Sequence, residues 1–324
     1  MNPLHRTGPE PSTWRKPLRE AMIWIPGGVF TMGSNDHYAE ERPARRAAVD
    51  GFWIDPGPVT NRQFARFVAA TDYVTFAEYP PDPKDYPGAD PSMLVASSLV
   101  FAPPPGPVDL RYPAQWWSFA AGANWRHPLG PRSNLDGLED HPVVHVAWVD
   151  VQAYAAWAGA DLPTEAEWEF AARGGRPAAE FAWGDSFQPL GRHMANTWQG
   201  AFPHHNSLED GWARTSPVGA YPPNDYGLHD MIGNTWEWTV DWWSTPDPDA
   251  TTPRCCTAKN PRGGLEEDSH EGGGLPIPRK VLKGGSHLCA PSYCKRYRPA
   301  ARHAQPVDTS ASHVGFRCIV RSRA

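Results

Sequence analysis

Two cysteines near the end of the chain have a spacing that suits thiol chemistry. Cys289 and Cys294 lie five residues apart, with Pro291 and Ser292 between them to favour a turn. A pair at this spacing can form a disulfide, half of a zinc site, a redox dithiol or a two-thiolate site for a soft ion. Two thiolates alone suit Cu(I), which accepts low coordination. The residues by themselves leave these possibilities open, together with inert thiols.

Positive charge follows the cysteine pair at three positions. Arg296, Arg298 and Arg302 lie in the segment directly after it. A cationic neighbour lowers the pKa of a thiol because it stabilises the thiolate. We therefore expect these arginines to help hold both sulfurs as thiolates.

The remaining cysteines predict no chemistry. Cys255 and Cys256 are adjacent and could bridge only through a strained ring, so loop thiols are expected there. Cys318 ends a predicted strand and is expected to be a buried core thiol. An odd total of five cysteines, in a chain expected to be cytosolic, argues against a disulfide framework.

Two loop segments offer oxygen ligands. Asn196 and Asp210 flank one of them, and in the other, DMIGNTWE, a glycine turn separates two carboxylates. The candidate donors of the second segment are two carboxylates and two backbone carbonyls, from Asp230, Glu237, Gly233 and Thr235. Calcium takes six to eight oxygens of these kinds. Because Asp and Asn are commonest as turn formers, the spacing leaves both a calcium site and plain turns open.

A histidine pair lies upstream of these loops. His141 and His145 are four residues apart, a spacing that can ligate a metal on a helix. Pro142 and the Val-Val-His-Val run favour the entry to a strand, where the two positions would lie about 13 Å apart. Hydrogen-bonded core or surface histidines are therefore expected.

The chain that must position these groups has 324 residues, a net charge of −6 and 40% hydrophobic residues. The acidity argues against a general nucleic-acid binder, and the apolar content is enough for a sizeable core. No apolar run is long enough to span a membrane, and residues 1–20 form a polar tail without a secretory signal, so we expect a cytoplasmic protein. The 37 prolines argue against long helices, and the 16 tryptophans must supply much of the burial.

Three short helices have explicit start signals. Capping boxes predict one helix after Thr60, closed by Gln63, and another after Thr164, closed by Glu167. Asp150 predicts the start of a third helix, which a glycine would end.

Strands are expected over 22–32, around a Pro-Gly-Gly turn, and over 48–54. Residues 80–113 contain ten prolines and predict a surface loop, and residues 244–280 predict an irregular insertion. These patterns predict one loop-rich α+β domain over residues 21–322.

Five segments resemble a known family. They are PGGVFTMGS at 26–34, VTNRQFARFV at 59–68, LPTEAEWEFAARGG at 162–175, YGLHDMIGNTWEWTVDWW at 226–243 and GFRC at 315–318. They resemble the formylglycine-generating enzyme (sulfatase-modifying factor) superfamily over nearly the whole chain. The resemblance implies a monomer with a loop-dominated α+β fold like that of C-type lectins.

The segment KGGSHLCAPSYCKRYRPAAR is more narrowly similar to the true formylglycine-generating enzymes. The resemblance implies that Cys289 and Cys294 are catalytic and bind Cu(I), and that Ser286 beside them contacts oxygen or substrate. It also implies substrate-cleft positions for Arg302, His313 and Glu41.

The same resemblance implies two structural calcium ions. One would be held by Asn196, Thr197, Asp210 and Trp212. The other would be held by Asp230, Gly233, Thr235 and Glu237. Asp230 stands where the family can have asparagine, a change that keeps an oxygen ligand and adds charge.

The implied reaction is the copper- and dioxygen-dependent oxidation of a cysteine to Cα-formylglycine. The cysteine would lie in a Cys-x-Pro-x-Arg segment of an unfolded or nascent sulfatase, and a thiol reductant would supply two electrons. Secreted members carry disulfides between the second and third helices and the C-terminal strands. Here the expected partner positions are alanines and Pro299, which fits a reducing compartment.

Two other functions compete with this one. A sulfoxide synthase with non-haem iron needs a His-x-x-x-His-x-Glu set, and Ala147 stands where the Glu would fall. A non-catalytic binding module on the same scaffold would have no reason to keep the CxxxxC pair in its Gly-Gly-Ser and arginine setting. Aldehyde formation on a co-expressed Cys-x-Pro-x-Arg peptide would discriminate between the three.

Overall fold

The structure, a computed structural model, describes residues 21–176, 179–245, 257–270 and 276–322. Its helices are α1 (Asn61–Thr71), α2 (Trp148–Ala158) and α3 (Glu165–Ala172). Its strands are β1 (Ile23–Ile25), β2 (Gly28–Met32), β3 (Arg45–Val49), β4 (Phe52–Ile54), β5 (Ser97–Phe101), β6 (Trp117–Ala121), β7 (Trp236–Trp242), β8 (Ala258–Lys259), β9 (Arg279–Lys283), β10 (Arg302–Pro306), β11 (Val314–Gly315) and β12 (Ile319–Arg321). The polar tail predicted over 1–20 lies outside the described residues, as do Cys255 and Cys256.

The described strands form four small sheets beside the three helices, and the predicted α+β class is confirmed. The largest sheet has the order β10-β9-β7-β11, and two three-stranded sheets have the orders β1-β4-β12 and β2-β3-β8. In the largest sheet Lys283 lies between Glu237 of β7 and Arg302 of β10. This register brings one predicted calcium segment next to the strand that leads into the cysteine pair.

Both predicted capping boxes are present. The Thr60 side chain accepts a hydrogen bond from Gln63 N at 3.2 Å, and the Gln63 side chain accepts one from Thr60 N at 2.8 Å. Thr164 and Glu167 make the same reciprocal bonds in front of α3, at 3.0 and 2.7 Å. Each box satisfies donors that a helix start leaves unpaired.

Helix α2 begins earlier than predicted. It starts at Trp148, so Asp150 is its third residue and not its cap. Oδ2 of Asp150 accepts from Ala147 N at 2.8 Å, while Oδ1 accepts from Phe76 N at 2.9 Å and from the Tyr73 hydroxyl at 3.1 Å. The carboxylate therefore ties the helix start to a distant loop, and a local sequence pattern does not reveal that contact.

The strand predicted over 48–54 is two strands, since the chain turns at Asp50 and Gly51 between β3 and β4. A Cβ on Gly51 would lie 2.5 Å from the Trp24 ring, so a larger residue there would displace that ring. Asn260 anchors the turn through its Oδ1, which accepts a hydrogen bond from Asp50 N at 2.9 Å.

Regular structure also interrupts both segments that were predicted to be irregular. Residues 80–113 contain β5, which pairs antiparallel with β6. Residues 244–280 contain β8, which pairs parallel with β3, and the first residues of β9. These strands depend on partners elsewhere along the chain, which a proline- and glycine-rich segment conceals. Residues 246–256 and 271–275 of the second segment lie outside the described residues.

Helix α3 is buried along its whole length. Trp168 is fully buried and donates its indole N–H to Glu237 at 2.8 Å. Glu165 and Glu169 of the same helix pair with the buried Lys283 at 3.4 and 3.1 Å. The helix therefore supplies the counter-charges of the largest sheet. Within the described residues, no helix is long and apolar enough to cross a membrane.

We expect Asp150→Ala to lower the free energy of unfolding by about 2–4 kcal/mol. The substitution removes a helix-start acceptor and leaves two backbone N–H groups without their partner, that of the buried Ala147 and that of the partly buried Phe76. Urea denaturation followed by tryptophan fluorescence measures the change. Asp36→Ala, at an exposed carboxylate, is the control and should stay within about 0.5 kcal/mol. Equal losses in the two variants would contradict the long-range role of Asp150.

Candidate active site

The cysteine pair lies in a loop that two glycines connect to β9. Gly285 has a φ of +73°, in the region that favours glycine. A Cβ at this position would lie 2.8 Å from the carbonyl oxygen of Arg296. Glycine therefore lets the two ends of the loop approach each other.

Two successive turns in this loop bring the sulfurs together. Cys289 N donates to the carbonyl oxygen of Ser286, and Cys294 N donates to that of Ala290, both at 2.9 Å. The two Sγ atoms lie 3.4 Å apart, and both cysteines are free. That distance is far beyond an S–S bond of about 2.05 Å and within hydrogen-bonding range for sulfur. The pair is a dithiol in this structure and not a disulfide.

The two thiols differ in their ionisation. The hydrogen bond from Cys289, followed by the charge of Arg296, lowers the pKa of the Cys294 thiol to about 6, although burial opposes the shift. Burial raises the pKa of the Cys289 thiol well above its ordinary value, and Cys294 adds to the rise. At neutral pH the pair therefore consists of a thiolate on Cys294 and a thiol on Cys289. The expectation of two thiolates is corrected to one.

The three arginines after the pair do not act alike. Arg296 alone of the three donates to a sulfur of the pair, with Nη1 lying 3.8 Å from Cys294 Sγ. Arg298 is buried and forms a two-point ion pair with the buried Glu41. Arg302 pairs with Glu165, its Nη2 donating at 3.0 Å. The sequence analysis expected more positive charge at the sulfurs than the structure has. Arg298 and Arg302 instead pair with Glu41 and Glu165, which lie far away along the chain.

Arg296 is itself held from several directions. Its Nη2 donates to Glu40 at 2.6 Å, and its guanidinium lies 4.0 Å from the centre of the Tyr38 ring. The Tyr38 hydroxyl in turn accepts a hydrogen bond from Lys295 N at 3.0 Å. Sequence reasoning missed Glu40 and Tyr38. The acidic doublet of Glu40 and Glu41 was the available signal, since the C-terminal segment carries several arginines in need of partners.

Aromatic rings flank the cysteine loop. Tyr293 stacks on Phe202 with ring centres 4.5 Å apart and meets Trp116 edge-on at 5.8 Å. Cys289 is buried, whereas Cys294 is partly exposed. A substrate can therefore reach the pair from the side of Cys294.

Ser286 is buried directly before the pair. Its backbone N–H donates to Cys289 Sγ at 3.5 Å, and its Oγ accepts from Leu288 N at 3.3 Å. The serine contacts the buried sulfur through its backbone, and its hydroxyl proton remains available as a donor.

A cavity of about 770 Å³ lies next to Arg296. Its charged and aromatic lining is formed by Glu40, Arg42, Trp243, Arg296, Arg302 and His303. The guanidinium of Arg302 lies 4.5 Å from the centre of the Trp243 ring, which fixes its orientation. The cavity has room for several residues of an extended peptide. Of the three arginines in its lining, Arg296 is paired with Glu40 and Arg302 with Glu165.

Two other residues that the resemblance assigns to the substrate cleft do not line this cavity. Among the described residues that line the 770 Å³ cavity, neither Glu41 nor His313 occurs. The Glu41 carboxylate is fully occupied by Arg298, so its geometry fits a positioning role in place of substrate contact. The His313 ring packs on Trp117 with centres 4.7 Å apart, and its Nδ1 has no partner among the described residues.

The two carboxylates of the segment expected to hold one calcium ion have different surroundings. The Glu237 carboxylate accepts from Arg317 Nε and Nη2, both at 2.7 Å, and from Trp168. It is thus the counter-ion of a fully buried arginine. Asp230 differs, because its Oδ2 accepts from Gly219 N while its buried Oδ1 has no partner in the described structure.

The negative charge of the Asp230 carboxylate is not fully compensated by the protein. Burial raises the pKa of this carboxyl group, which means that the charged form lacks sufficient compensation. The Thr235 hydroxyl close by in sequence is also buried and without a partner among the described residues. A hard cation that takes oxygen ligands would fit Asp230.

The other calcium segment lies directly against this one. Asn234 N donates to the carbonyl oxygen of Asn196 at 2.9 Å, and a Cβ on Gly233 would lie 2.3 Å from that oxygen. Asp210 accepts one hydrogen bond on each carboxylate oxygen, from Trp212 N and from the Tyr221 hydroxyl. Thr197 is buried beside Asn196. No cluster of three or more His, Cys, Asp or Glu side chains converges on a metal position in the described ranges, so calcium binding here would depend on carbonyl oxygens.

The histidine pair is structural. The Nδ1 of His141 bonds to the Thr215 hydroxyl, and the two ring nitrogens of the buried His145 bond to Ser98 and to the carbonyl oxygen of Pro128. The expectation of hydrogen-bonded histidines is confirmed. The predicted strand entry is wrong, since neither histidine lies in a described strand and His145 has a φ of +61°. Cys318 is buried, as expected, but it lies between β11 and β12 and does not end a strand.

Comparison with known proteins identifies relatives that cover most of the chain. Residues 9–322 match the family described as the sulfatase-modifying factor enzyme 1-like domain. A formylglycine-generating enzyme of Mycobacterium tuberculosis is 50% identical over 299 residues, which cover 92% of this chain and 97% of that protein. An inactive C-alpha-formylglycine-generating enzyme 2 of Bos taurus is 37% identical over 309 residues, covering 92% and 87%.

A solved structure has a similar fold. The structure of PvdO from Pseudomonas aeruginosa aligns with a TM-score of 0.62 at 23% identity and covers 93% of this chain and 94% of that one. At this identity the likeness concerns the fold alone.

We expect Cys294 to react with iodoacetamide along a pH profile whose midpoint lies near 6. A lowered pKa keeps the thiolate at neutral pH, and reactivity falls only as the pH drops through that midpoint. Arg296→Gln should raise the midpoint by about one pH unit, equivalent to about 1.4 kcal/mol. Arg192→Gln, at an exposed arginine, is the control. Mass spectrometry of the Cys294 peptide measures the rate, and a midpoint near 8.5 in the unmodified protein would contradict the asymmetry of the pair.

Proposed function

The chain belongs to the sulfatase-modifying factor enzyme family, and we propose that it is a formylglycine-generating enzyme that oxidises a cysteine of a sulfatase polypeptide to Cα-formylglycine. The substrate segment is a Cys-x-Pro-x-Arg sequence in an unfolded or nascent sulfatase. The observation that carries the proposal is the free cysteine pair, with Sγ atoms 3.4 Å apart and a thiolate on Cys294 beside Arg296.

We propose Cu(I) as the cofactor of this pair. Two sulfur donors at this separation match the preference of Cu(I) for soft ligands and low coordination. Cys289 and Cys294 would hold the ion, and when bound it supplies the site at which dioxygen is reduced. Cys294 is already ionised at neutral pH, whereas Cys289 must lose its proton to bind a metal.

The protein groups around the pair have separable tasks. Arg296 holds negative charge on Cys294 and is fixed by Glu40. The hydroxyl of Ser286 is free to donate a hydrogen bond next to the buried sulfur. The apolar rings beside the loop limit access by water, which strengthens each electrostatic contact near the sulfurs.

The 770 Å³ cavity supports the docking of an extended peptide. Arg302 and Trp243 present a fixed cationic and aromatic surface, and the positive lining suits peptide carbonyl oxygens and the substrate thiolate. The substrate thiolate would be drawn toward the end at which Arg296 meets Cys294. The arginine of the substrate motif would be repelled by that lining, except near Glu40.

The overall reaction balances with external reagents. Conversion of a –CH₂SH group to –CHO with release of hydrogen sulfide consumes one dioxygen, two electrons and two protons, and yields one water. A thiol reductant supplies the electrons. The bovine relative described as inactive makes a non-catalytic role the alternative, and direct measurement of turnover separates the two.

We expect both Cys289→Ser and Cys294→Ser to lose more than about a hundredfold in turnover of a Cys-x-Pro-x-Arg peptide. Loss of a metal ligand should exceed the roughly 10–100-fold cost of changing an outer-shell residue. The assay measures aldehyde formation by mass spectrometry with Cu(I), thiol reductant and air. Cys318→Ala is the matched control and should keep near-normal turnover. Full activity after rigorous copper removal would overturn the copper assignment, and no turnover in the copper-loaded wild type would overturn the function.

We propose that calcium, where bound, is structural and reaches Asp230. At a hundredfold excess over its Kd, a ligand that binds only the folded state stabilises by about 2.7 kcal/mol. Asp230→Asn should be at least as stable as the wild type in strong chelator, because it removes an uncompensated buried charge, yet should gain less from added calcium. Thermal unfolding with and without calcium measures both arms. Equal melting temperatures of the wild type in chelator and in calcium would contradict the proposal.

A further inference from the structure

We propose that the chain carries a second ligand site, a cavity of about 130 Å³ that takes a small 2-hydroxy monocarboxylic acid. The cavity is formed by the start of α1, the loop over residues 128–144, Arg214 with Thr215, and Ser312. Its lining shares no residue with that of the 770 Å³ cavity and includes no residue of the cysteine loop. The proposal does not rest on the proposed oxidation of cysteine.

The first observation is a guanidinium without a counter-ion. Arg214 lines the cavity, and no carboxylate of the described residues forms an ion pair with it. Its described side-chain contacts are two long hydrogen bonds of 3.5 Å to the carbonyl oxygen of Phe101. The four arginines that are buried in the described structure all have carboxylate partners; they are Arg173, Arg298, Arg302 and Arg317. A half-buried arginine in this condition favours an anionic ligand that can accept two parallel hydrogen bonds.

The second observation is an unsatisfied acceptor on another lining residue. Asn61 is 4% exposed, and its Oδ1 has no hydrogen-bond partner in the described structure. Its Nδ2 donates to the carbonyl oxygen of Leu138 at 2.8 Å, so the amide orientation is set and the oxygen is the free end. A buried acceptor without a donor costs about 1–3 kcal/mol. The missing partner is therefore a donor such as a hydroxyl group.

The third observation is the size and character of the remaining wall. Apolar side chains form most of it, from Pro128, Leu129, Leu135, Leu138, Pro142 and Val144. A volume of about 130 Å³ corresponds to about four waters of liquid, at roughly 30 Å³ each. The ligand is thus a compact molecule of a few heavy atoms with an apolar part.

These three features define one chemical class. A carboxylate reaches Arg214, a hydroxyl donates to Asn61 Oδ1, and a short carbon skeleton packs on the apolar wall. A phosphate would leave the apolar wall without a partner and would bring more negative charge than one guanidinium neutralises. An amino acid would bring an ammonium group close to the unpaired guanidinium. A 2-hydroxy monocarboxylate meets each requirement.

The test uses the full chain and titrates three small molecules of nearly equal size by calorimetry and thermal shift. Lactate should bind in a saturable manner and raise the melting temperature. Propionate, which lacks the hydroxyl donor, and lactamide, which lacks the charge, should each bind at least about tenfold more weakly. Sodium chloride at matched ionic strength is the control for general salt effects.

Variants assign the binding to this cavity. Arg214→Gln should weaken lactate binding at least about tenfold, Arg214→Lys should retain part of it, and Arg192→Gln, at an exposed arginine outside the lining, should leave it unchanged. The proposal is overturned if lactate gives no saturable binding up to tens of millimolar, or if Arg214→Gln binds lactate as tightly as the folded wild type. Equal binding of lactate and propionate would overturn the role of Asn61.

Discussion

Buried ion pairs between distant segments hold the cysteine loop in place. Lys283, directly before the glycines, is fully buried and pairs with the buried Glu169 at 3.1 Å. Arg298, after the pair, is buried against Glu41. Removing one partner of a buried pair costs about 3–5 kcal/mol, so neither end of the loop can move away cheaply. The sulfurs can therefore stay 3.4 Å apart without a covalent bond between them.

The same pairing makes the two sulfurs chemically different. Arg298 is directed to Glu41, whereas Arg296 pairs with Glu40 and still donates to Cys294. The buried Cys289 receives no such contact from the described arginines and keeps its proton. The outcome is a proton shared between a thiol and a thiolate, which leaves one nucleophilic sulfur and avoids the repulsion that two adjacent thiolates would have.

Features that depend on neighbouring residues were predictable from the sequence. Both capping boxes follow from local geometry, as does the turn that Pro291 and Ser292 favour between the two cysteines. The split of the 48–54 strand, the roles of Glu41 and Glu237 and the identity of the arginine at the sulfurs did not follow, because each depends on a partner far along the chain. Arg298 and Arg302 look as available as Arg296 in the sequence, and only the positions of Glu41 and Glu165 distinguish them.

We propose that the pair binds one Cu(I) starting from one thiolate and one thiol. The most direct measurement is titration of the reduced protein with Cu(I) under anaerobic conditions near pH 7.5 while proton release is recorded. The account predicts one ion per chain and release of about one proton, from Cys289, with both signals lost in Cys294→Ser. Release of about two protons, or of none, would contradict the asymmetry, and unchanged copper binding by Cys294→Ser would contradict the site itself.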